Sequence, residues 1–207
     1  MPTSETIIEG LTNISNQNMI VALAWHILLF ILLIFIASGW RPFQKVTGLF
    51  FSLPLLSVSL FALLSQNPFN FMMFLILSIL LIIYALRLPK HKVIFLPGFI
   101  TITGIIMIVY GWIYPHFLID VNPLIYVVAS PIGLVPCPTL SIVIGFSLLF
   151  RNFNSKKWGI TLSVFGLFYG IIGILRLGVI LDIGLLAGAI ILLIFSLKQP
   201  GIVNLAE

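Results

Sequence analysis

The chain has 207 residues, of which 61% are hydrophobic and only 7% are charged. Soluble domains contain about 25% charged residues because their surfaces face water, so this composition excludes a water-soluble globular protein. A net charge of +5 would favour a nucleic-acid partner in a soluble protein. Here the basic residues lie between long apolar runs, where they indicate membrane topology instead.

The N-terminal segment, 1–18, is polar and contains neither Lys nor Arg. The apolar run that follows it is longer than the apolar core of a cleavable signal peptide. We therefore expect 1–18 to be a polar extracytoplasmic segment rather than a cleaved signal.

Seven apolar runs follow the N-terminal segment. They span 19–39, 48–65, 69–86, 93–114, 123–150, 158–175 and 179–197. The hydrocarbon core of a bilayer is about 30 Å thick, and a helix crosses it in roughly 20 residues. We predict an all-α fold: one integral membrane bundle of about seven transmembrane helices over 19–198, with a short cytoplasmic tail over 199–207. The lipid bilayer is then the main partner of the outer surface of this bundle.

The charged residues predict the orientation of the bundle, because cytoplasmic loops retain Lys and Arg. If there are seven spans, nine of the ten basic residues fall on one side: Arg41, Lys45, Arg87, Lys90, Lys92, Arg151, Lys156, Lys157 and Lys198. Four of the five acidic residues fall on the other side: Glu5, Glu9, Asp120 and Asp182. We predict an N-terminus outside and a C-terminus in the cytoplasm.

Small residues recur along the last two spans, with Gly166 and Gly170 in the sixth and Gly184 and Gly188 in the seventh. Small residues let helix backbones approach closely in lipid, where apolar burial does not drive association. The pattern predicts that the two spans form a tightly packed hairpin. Alternatively, the same glycines pack against a partner protein or a second copy of the chain.

The fifth run is rich in residues that interrupt helices. Its central part contains Pro131, Gly133, Pro136 and Pro138. Proline removes a backbone donor and disfavours α geometry at the preceding residue, so Val135 and Cys137 are expected to be extended or kinked. We predict a break or re-entrant turn over 131–138, with Thr139 opening the next helix. Whether the fifth run crosses the bilayer fully stays open.

The break is the first candidate site. Broken transmembrane helices bind ions in transporters through exposed carbonyls and half-helix ends, and a cysteine thiolate suits a soft metal ion such as Cu(I) or Zn. Cys137, the only cysteine, is therefore a candidate ligand for metal. The alternative is a small buried apolar residue, which free cysteines usually are.

Other polar residues on the same predicted side extend the candidate site to His26, His116 and Asp120. Charged groups at the bilayer centre cost about 2.5–3.5 kcal/mol, so they are usually paired or functional. A hydrogen bond between helices would equally explain His26, and a solvated loop would explain His116 and Asp120. Arg176 and Asp182 flank the turn between the last two spans, and we predict that they form a structural pair there.

No catalytic motif is present in the sequence. We find no phosphate-binding glycine loop, no His-Glu-x-x-His helix and no Gly-x-Ser-x-Gly elbow. These absences disfavour an enzyme, and no catalytic residue is assigned.

The run 133–139, Gly-Leu-Val-Pro-Cys-Pro-Thr, resembles a motif of a family of small bacterial membrane proteins known as domain of unknown function 6064. Asn67-Pro68, Tyr114-Pro115 and the segment that begins at Asp182 are similar to that family as well. The resemblance covers roughly 45–197; Leu140 departs from it where a second Thr is expected, and the N-terminal region matches poorly. It implies a multi-pass protein of a bacterial inner membrane with a shared site around Cys137, and it implies no activity.

Two functions follow from these expectations. The first is binding or transport of a small solute or a soft metal ion at the broken segment around Cys137. The second is that of a non-catalytic membrane subunit or accessory protein, which packs against a partner through its glycine-lined helices.

Overall fold

The computed structural model describes residues 3–95, 98–119 and 121–199, and over these residues the chain is helical, with no β-strand. The helices are α1 (Ser4–Gln17), α2 (Met19–Ala37), α3 (Gln44–Leu64), α4 (Pro68–Leu86), α5 (Phe99–Ile113), α6 (Tyr126–Ala129), α7 (Pro136–Leu149), α8 (Lys156–Leu175) and α9 (Asp182–Lys198). Short 3₁₀ turns, Pro123–Ile125 and Arg151–Asn154, precede α6 and α8. The predicted all-α fold is confirmed.

In the part of the chain that the structure describes, four helices are long and apolar enough to span a membrane: α2, α3, α4 and α8. Two further apolar helices are shorter, because α5 has 15 residues and α7 has 14. At a rise of 1.5 Å per residue, α7 is about 21 Å long, less than the thickness of a hydrocarbon core. Every predicted apolar run contains a helix; the number of crossings and the orientation stay predictions.

The N-terminal segment contains a helix that its polar composition did not indicate. The Thr3 side chain caps α1 by accepting a hydrogen bond from the backbone N–H of Thr6. Leu11 and Ile14 are buried, whereas Glu5 lies exposed on the other side. An apolar stripe at this spacing is typical of a helix that packs one face on a larger body.

Helix α7 is the centre of the bundle, and all of its residues are buried. It crosses α5 at very short range: a Cβ added to Gly104 would lie 2.7 Å from the carbonyl oxygen of Gly145. One added to Gly111 would lie 2.7 Å from the carbonyl oxygen of Pro138. The two backbones therefore touch directly, the kind of contact that small residues permit between helices.

The glycines of the last two helices face residues of the same chain. A Cβ on Gly166 would lie 2.8 Å from that of Ala189, and a Cβ on Gly170 would lie 3.1 Å from the backbone of Leu186. Helices α8 and α9 are thus a close-packed hairpin, as predicted.

The two glycines of α9 face α5. Gly184 packs against the ring of Tyr110, and Gly188 packs against the side chain of Met107. All four glycines of the predicted partner surface are therefore in contact inside the bundle.

Large apolar side chains cover much of the outer surface. Examples with more than half of their surface exposed are Ile20, Phe30, Leu64, Phe99 and Ile106. Soluble monomers rarely expose apolar patches of this extent. The surface is typical of a protein that faces lipid.

Candidate functional site

The predicted break lies between α6 and α7, at residues 130–135, and α7 begins earlier than expected. Val135 is extended, with φ −120° and ψ 143°, as predicted. Helix α7 starts at Pro136 rather than at Thr139. Cys137, expected to be extended or kinked, instead belongs to the first turn of this helix. Prolines fit the first turn of a helix, where the missing N–H has no intrahelical acceptor.

The spacing of the two prolines suits a helix that begins inside the protein. The first N–H groups of any helix lack intrahelical acceptors, and a buried unpaired N–H is unfavourable. Pro136 and Pro138 remove two of these donors from the buried first turn of α7. The Pro-Cys-Pro sequence therefore permits a helix N-terminus to be buried where a soluble helix would expose it.

The backbone of the break is hydrogen-bonded within the chain. The Gly133 N–H donates to Oγ1 of Thr139 at 2.8 Å, and the same hydroxyl donates to the Val135 carbonyl at 2.7 Å. The N–H groups of Leu134 and Val135 both donate to the Pro131 carbonyl. Irregular backbone at membrane depth requires such internal partners.

Gly133 is in the left-handed region, with φ +76°. A Cβ at this position would overlap the indole ring of Trp25, which packs against it from α2. Glycine is thus required here both by the backbone conformation and by the close approach of the ring.

A thiol, a phenol and a carboxyl meet at the start of α7. The Cys137 thiol donates to Oδ2 of Asp182 at 3.2 Å, and the Tyr114 hydroxyl donates to Oδ1 of the same residue at 2.7 Å. Asp182 and Tyr114 are fully buried, and Cys137 is buried as well. Three elements contribute to this thiol–carboxylate cluster: the end of α5, the start of α7 and the start of α9.

Neighbouring residues fix the position of the carboxyl. The side chain of Asp182 fills the space beside Gly173 of α8, where a Cβ would overlap Oδ2. Tyr110 donates to the carbonyl of Leu181, the residue before Asp182, and its ring packs edge-on against Tyr114. Both the side chain and the backbone of Asp182 are therefore held by the bundle.

The cluster is suited to a negative charge or to a bound cation. Asp182 is the first residue of α9, and Cys137 is the second residue of α7. The N-terminus of a helix carries a partial positive charge that stabilises a nearby anion. With a carboxylate and a thiol as ligands, the cluster offers two donor atoms to a soft cation.

A third metal ligand is not found beside these two. Among the described residues, no three His, Cys, Asp or Glu side chains form a group that could hold a metal ion. Asp120, predicted as a further ligand, lies outside the described residues.

His26 occupies a buried position between α2 and α5. Its Nδ1 lies 2.8 Å from the Ala22 carbonyl oxygen, and its Nε2 lies 3.1 Å from the Trp112 carbonyl oxygen. A neutral imidazole carries one N–H, so it donates to one of these carbonyls at a time. Of the two interpretations of His26, this geometry favours a hydrogen bond between helices over a role as a ligand.

His116 follows α5 in the segment that leads to α6. Its ring lies 4.3 Å from the ring of Phe117, measured between centroids. Burial lowers the pKa of His116, which favours the neutral ring in the folded protein.

Arg176 and Asp182 lie at the two ends of the α8–α9 turn and differ in burial. Arg176 is exposed at the C-terminus of α8, whereas Asp182 points into the bundle, where Tyr114 and Cys137 bind its two oxygens. The predicted structural pair of Arg176 and Asp182 stays a prediction.

Tyr114 and Gly173 were not assigned to the candidate site from the sequence, although both contact Asp182. The available signal was Asp182 itself, because it lies within the apolar run 179–197 and an ionisable residue within a membrane span indicates a site. The sequence alone did not bring it to the start of α7.

Comparison of the chain with family models, curated proteins and solved structures gives no match. The class of protein is thus defined by the structure: over the described residues it is an all-α bundle with four membrane-length helices and a buried thiol–carboxylate cluster.

Proposed function

We propose that the protein is a multi-pass protein of a bacterial inner membrane that binds or transports a small solute at Cys137 and Asp182. The main support is the hydrogen bond between the Cys137 thiol and the fully buried Asp182 carboxyl. Ionisable groups within a membrane are unfavourable and mark solute or ion pathways in many membrane proteins. The proposal includes seven crossings, with the N-terminus outside and the C-terminus in the cytoplasm.

A soft metal ion is the solute that best suits this pair of ligands. Only the deprotonated thiolate binds metal, so binding releases a proton. In the structure the Cys137 thiol donates its proton in the hydrogen bond to Oδ2 of Asp182. Loss of this proton frees both the sulfur and that oxygen to bind the cation. Tyr114 continues to donate to Oδ1 and keeps the carboxylate oriented.

The histidines and Asp120 have supporting parts in this proposal. His116 and Asp120 lie on the predicted outer side, from which a solute would approach. His26 would join the ligands only by giving up one of its two carbonyl contacts, with Ala22 or with Trp112. The minimal site therefore consists of Cys137 and Asp182.

The test is metal analysis of the protein purified anaerobically in mild detergent, followed by titration with Cu(I) against a competing chelator. We expect near-stoichiometric copper in the wild type and none above background in Cys137→Ser. Ser163→Ala is the matched control, because Ser163 is a buried hydroxyl that donates to Gly159 of its own helix. Equal copper in Cys137→Ser and the wild type would contradict a site at Cys137.

The second proposed function is that of a non-catalytic subunit, and such a subunit would have to bind its partner through a surface other than the glycines. Gly166, Gly170, Gly184 and Gly188 contact the same chain, so their enlargement would disturb the fold before it disturbed a partner. Exposed apolar residues such as Val164 and Ile171 of α8 are better probes. A subunit would lose a co-purifying protein when these two residues are changed to Ser, and Cys137→Ser would leave that protein bound.

A further inference from the structure

The segment 115–119 follows α5 directly and lies against the thiol–carboxylate cluster. The ring of Phe117 stacks on the ring of Tyr114, with centroids 6.2 Å apart and planes inclined by 10°. Phe117 is only 5% exposed, although it belongs to a connecting segment. Its ring therefore covers the phenol that donates to Asp182.

The backbone of Phe117 is in an unfavourable conformation. Its φ of +74° lies in the left-handed region, which a bulky residue rarely adopts. Strain of this kind persists only when the surroundings hold the residue in place, and it is concentrated at ligand clamps and switch regions. The contacts that hold Phe117 are therefore needed to keep this conformation.

Two side chains from other elements hold the segment. The Asn16 amide of α1 donates to the Phe117 carbonyl at 3.0 Å and accepts from the Ile119 N–H at 3.2 Å. The Tyr126 hydroxyl of α6 lies 3.2 Å from both the backbone nitrogen and the carbonyl oxygen of Leu118. The backbone polar groups of three successive residues are therefore bound by side chains rather than by secondary structure.

We infer that residues 115–119 form an outer plug, which closes the path from the outer face to Cys137 and Asp182, and that Asn16 is its latch. This inference rests on the proposed function, since it assigns the route by which the solute reaches its site. The structure is the closed state. Release of the Asn16 amide relieves the strain at Phe117 and lets its ring leave Tyr114. The hydrogen bonds of Asn16 thus favour the closed state of the plug, and the backbone strain at Phe117 favours the open state.

The access of a reagent to Cys137 measures the state of the plug without any metal. Cys137 is the only cysteine, so the wild-type chain needs no other substitution. We would follow its reaction with a small membrane-impermeant methanethiosulfonate added to the outer face of right-side-out vesicles, and to inverted vesicles in parallel. Asn16→Ala removes both latch bonds, and Tyr126→Phe removes the hydroxyl contacts but keeps the ring.

We expect each variant to label roughly tenfold faster than the wild type from the outer face, the change in an opening equilibrium that about 1.4 kcal/mol produces. Asn13→Ala, an exposed position one turn earlier on α1, should label at the wild-type rate. Leu77→Ala is the control for general destabilisation: it removes a fully buried side chain of α4 and leaves the latch intact.

Three outcomes would overturn the inference. Labelling of Asn16→Ala and Tyr126→Phe at the wild-type rate would show that they do not hold the plug. A rise from the inner face alone would place the path on the other side. An equal rise in Asn13→Ala or Leu77→Ala would show that labelling follows stability instead. If the protein binds no copper but its variants label as expected, the proposed function is contradicted and the plug is supported.

Discussion

Asp182 occupies the space that Gly173 leaves open on the neighbouring helix. The carboxyl lies where a side chain at position 173 would begin, and its Oδ2 is the atom that an added Cβ would overlap. The same oxygen accepts the hydrogen bond from Cys137. A single methyl group on α8 would therefore disturb the proposed ligand pair without changing either ligand.

We predict that Gly173→Ala destabilises the protein by about 1–3 kcal/mol, the usual effect of overpacking, and displaces Asp182 from Cys137. Thermal unfolding in detergent measures the first effect, and Cu(I) titration measures the second. Gly10→Ala is the control, because a Cβ at that position meets nothing within 4 Å. Wild-type stability and copper binding in Gly173→Ala would contradict this account of the cluster.

The charge of Asp182 can be tested through its hydrogen-bond donor. Tyr114→Phe should lower the free energy of unfolding by about 1.5–3 kcal/mol, as for hydrogen bonds to charged groups. The comparison is Tyr169→Phe, which removes a 2.9 Å hydrogen bond to the neutral amide oxygen of Asn70 and should lose only about 0.5–1.5 kcal/mol. Equal losses in the two variants would mean that the buried carboxyl is neutral.

The sequence was sufficient to predict the helices because their pattern is local. Apolar runs, short gaps and breakers lie within a few turns of one another, and each predicted run contains a helix. The hairpin of α8 and α9 was predictable for the same reason, since Gly166 and Gly170 of α8 repeat at helical spacing and face the next helix, at Ala189 and Leu186. Helix α1 was missed because its polar face dominates its composition.

The start of α7 and the site could not be predicted in the same way. The rule that disfavours α geometry before proline placed Cys137 outside the helix, but the first turn has no intrahelical bonds for a proline to break. The cluster joins residues 114, 137 and 182, which are far apart in sequence. Their meeting depends on the crossing of α5 and α7 at Gly111 and Gly104, a tertiary contact with no local signal.

The break should depend on one hydroxyl group. Thr139 both donates to Val135 and accepts from Gly133 inside the protein. Thr139→Val keeps the shape but leaves a buried N–H and a buried carbonyl with one partner fewer, and we expect a loss of about 2–3 kcal/mol. Thr139→Ser keeps the hydroxyl and should recover most of this loss. Thermal unfolding of both variants is the measurement; a Ser variant no more stable than the Val variant would contradict it.

The orientation is testable with single cysteines in a Cys137→Ser background. Lys90 and Glu9 are both exposed, and the distribution of basic residues predicts that Lys90 faces the cytoplasm and Glu9 the outside. In spheroplasts, a membrane-impermeant thiol reagent should label Glu9→Cys at once and Lys90→Cys only after permeabilisation. Both positions are solvent-exposed, so any difference between them reports the side of the membrane and not burial. Ready labelling of Lys90→Cys in sealed spheroplasts would contradict both the predicted orientation and the outer position of the proposed plug.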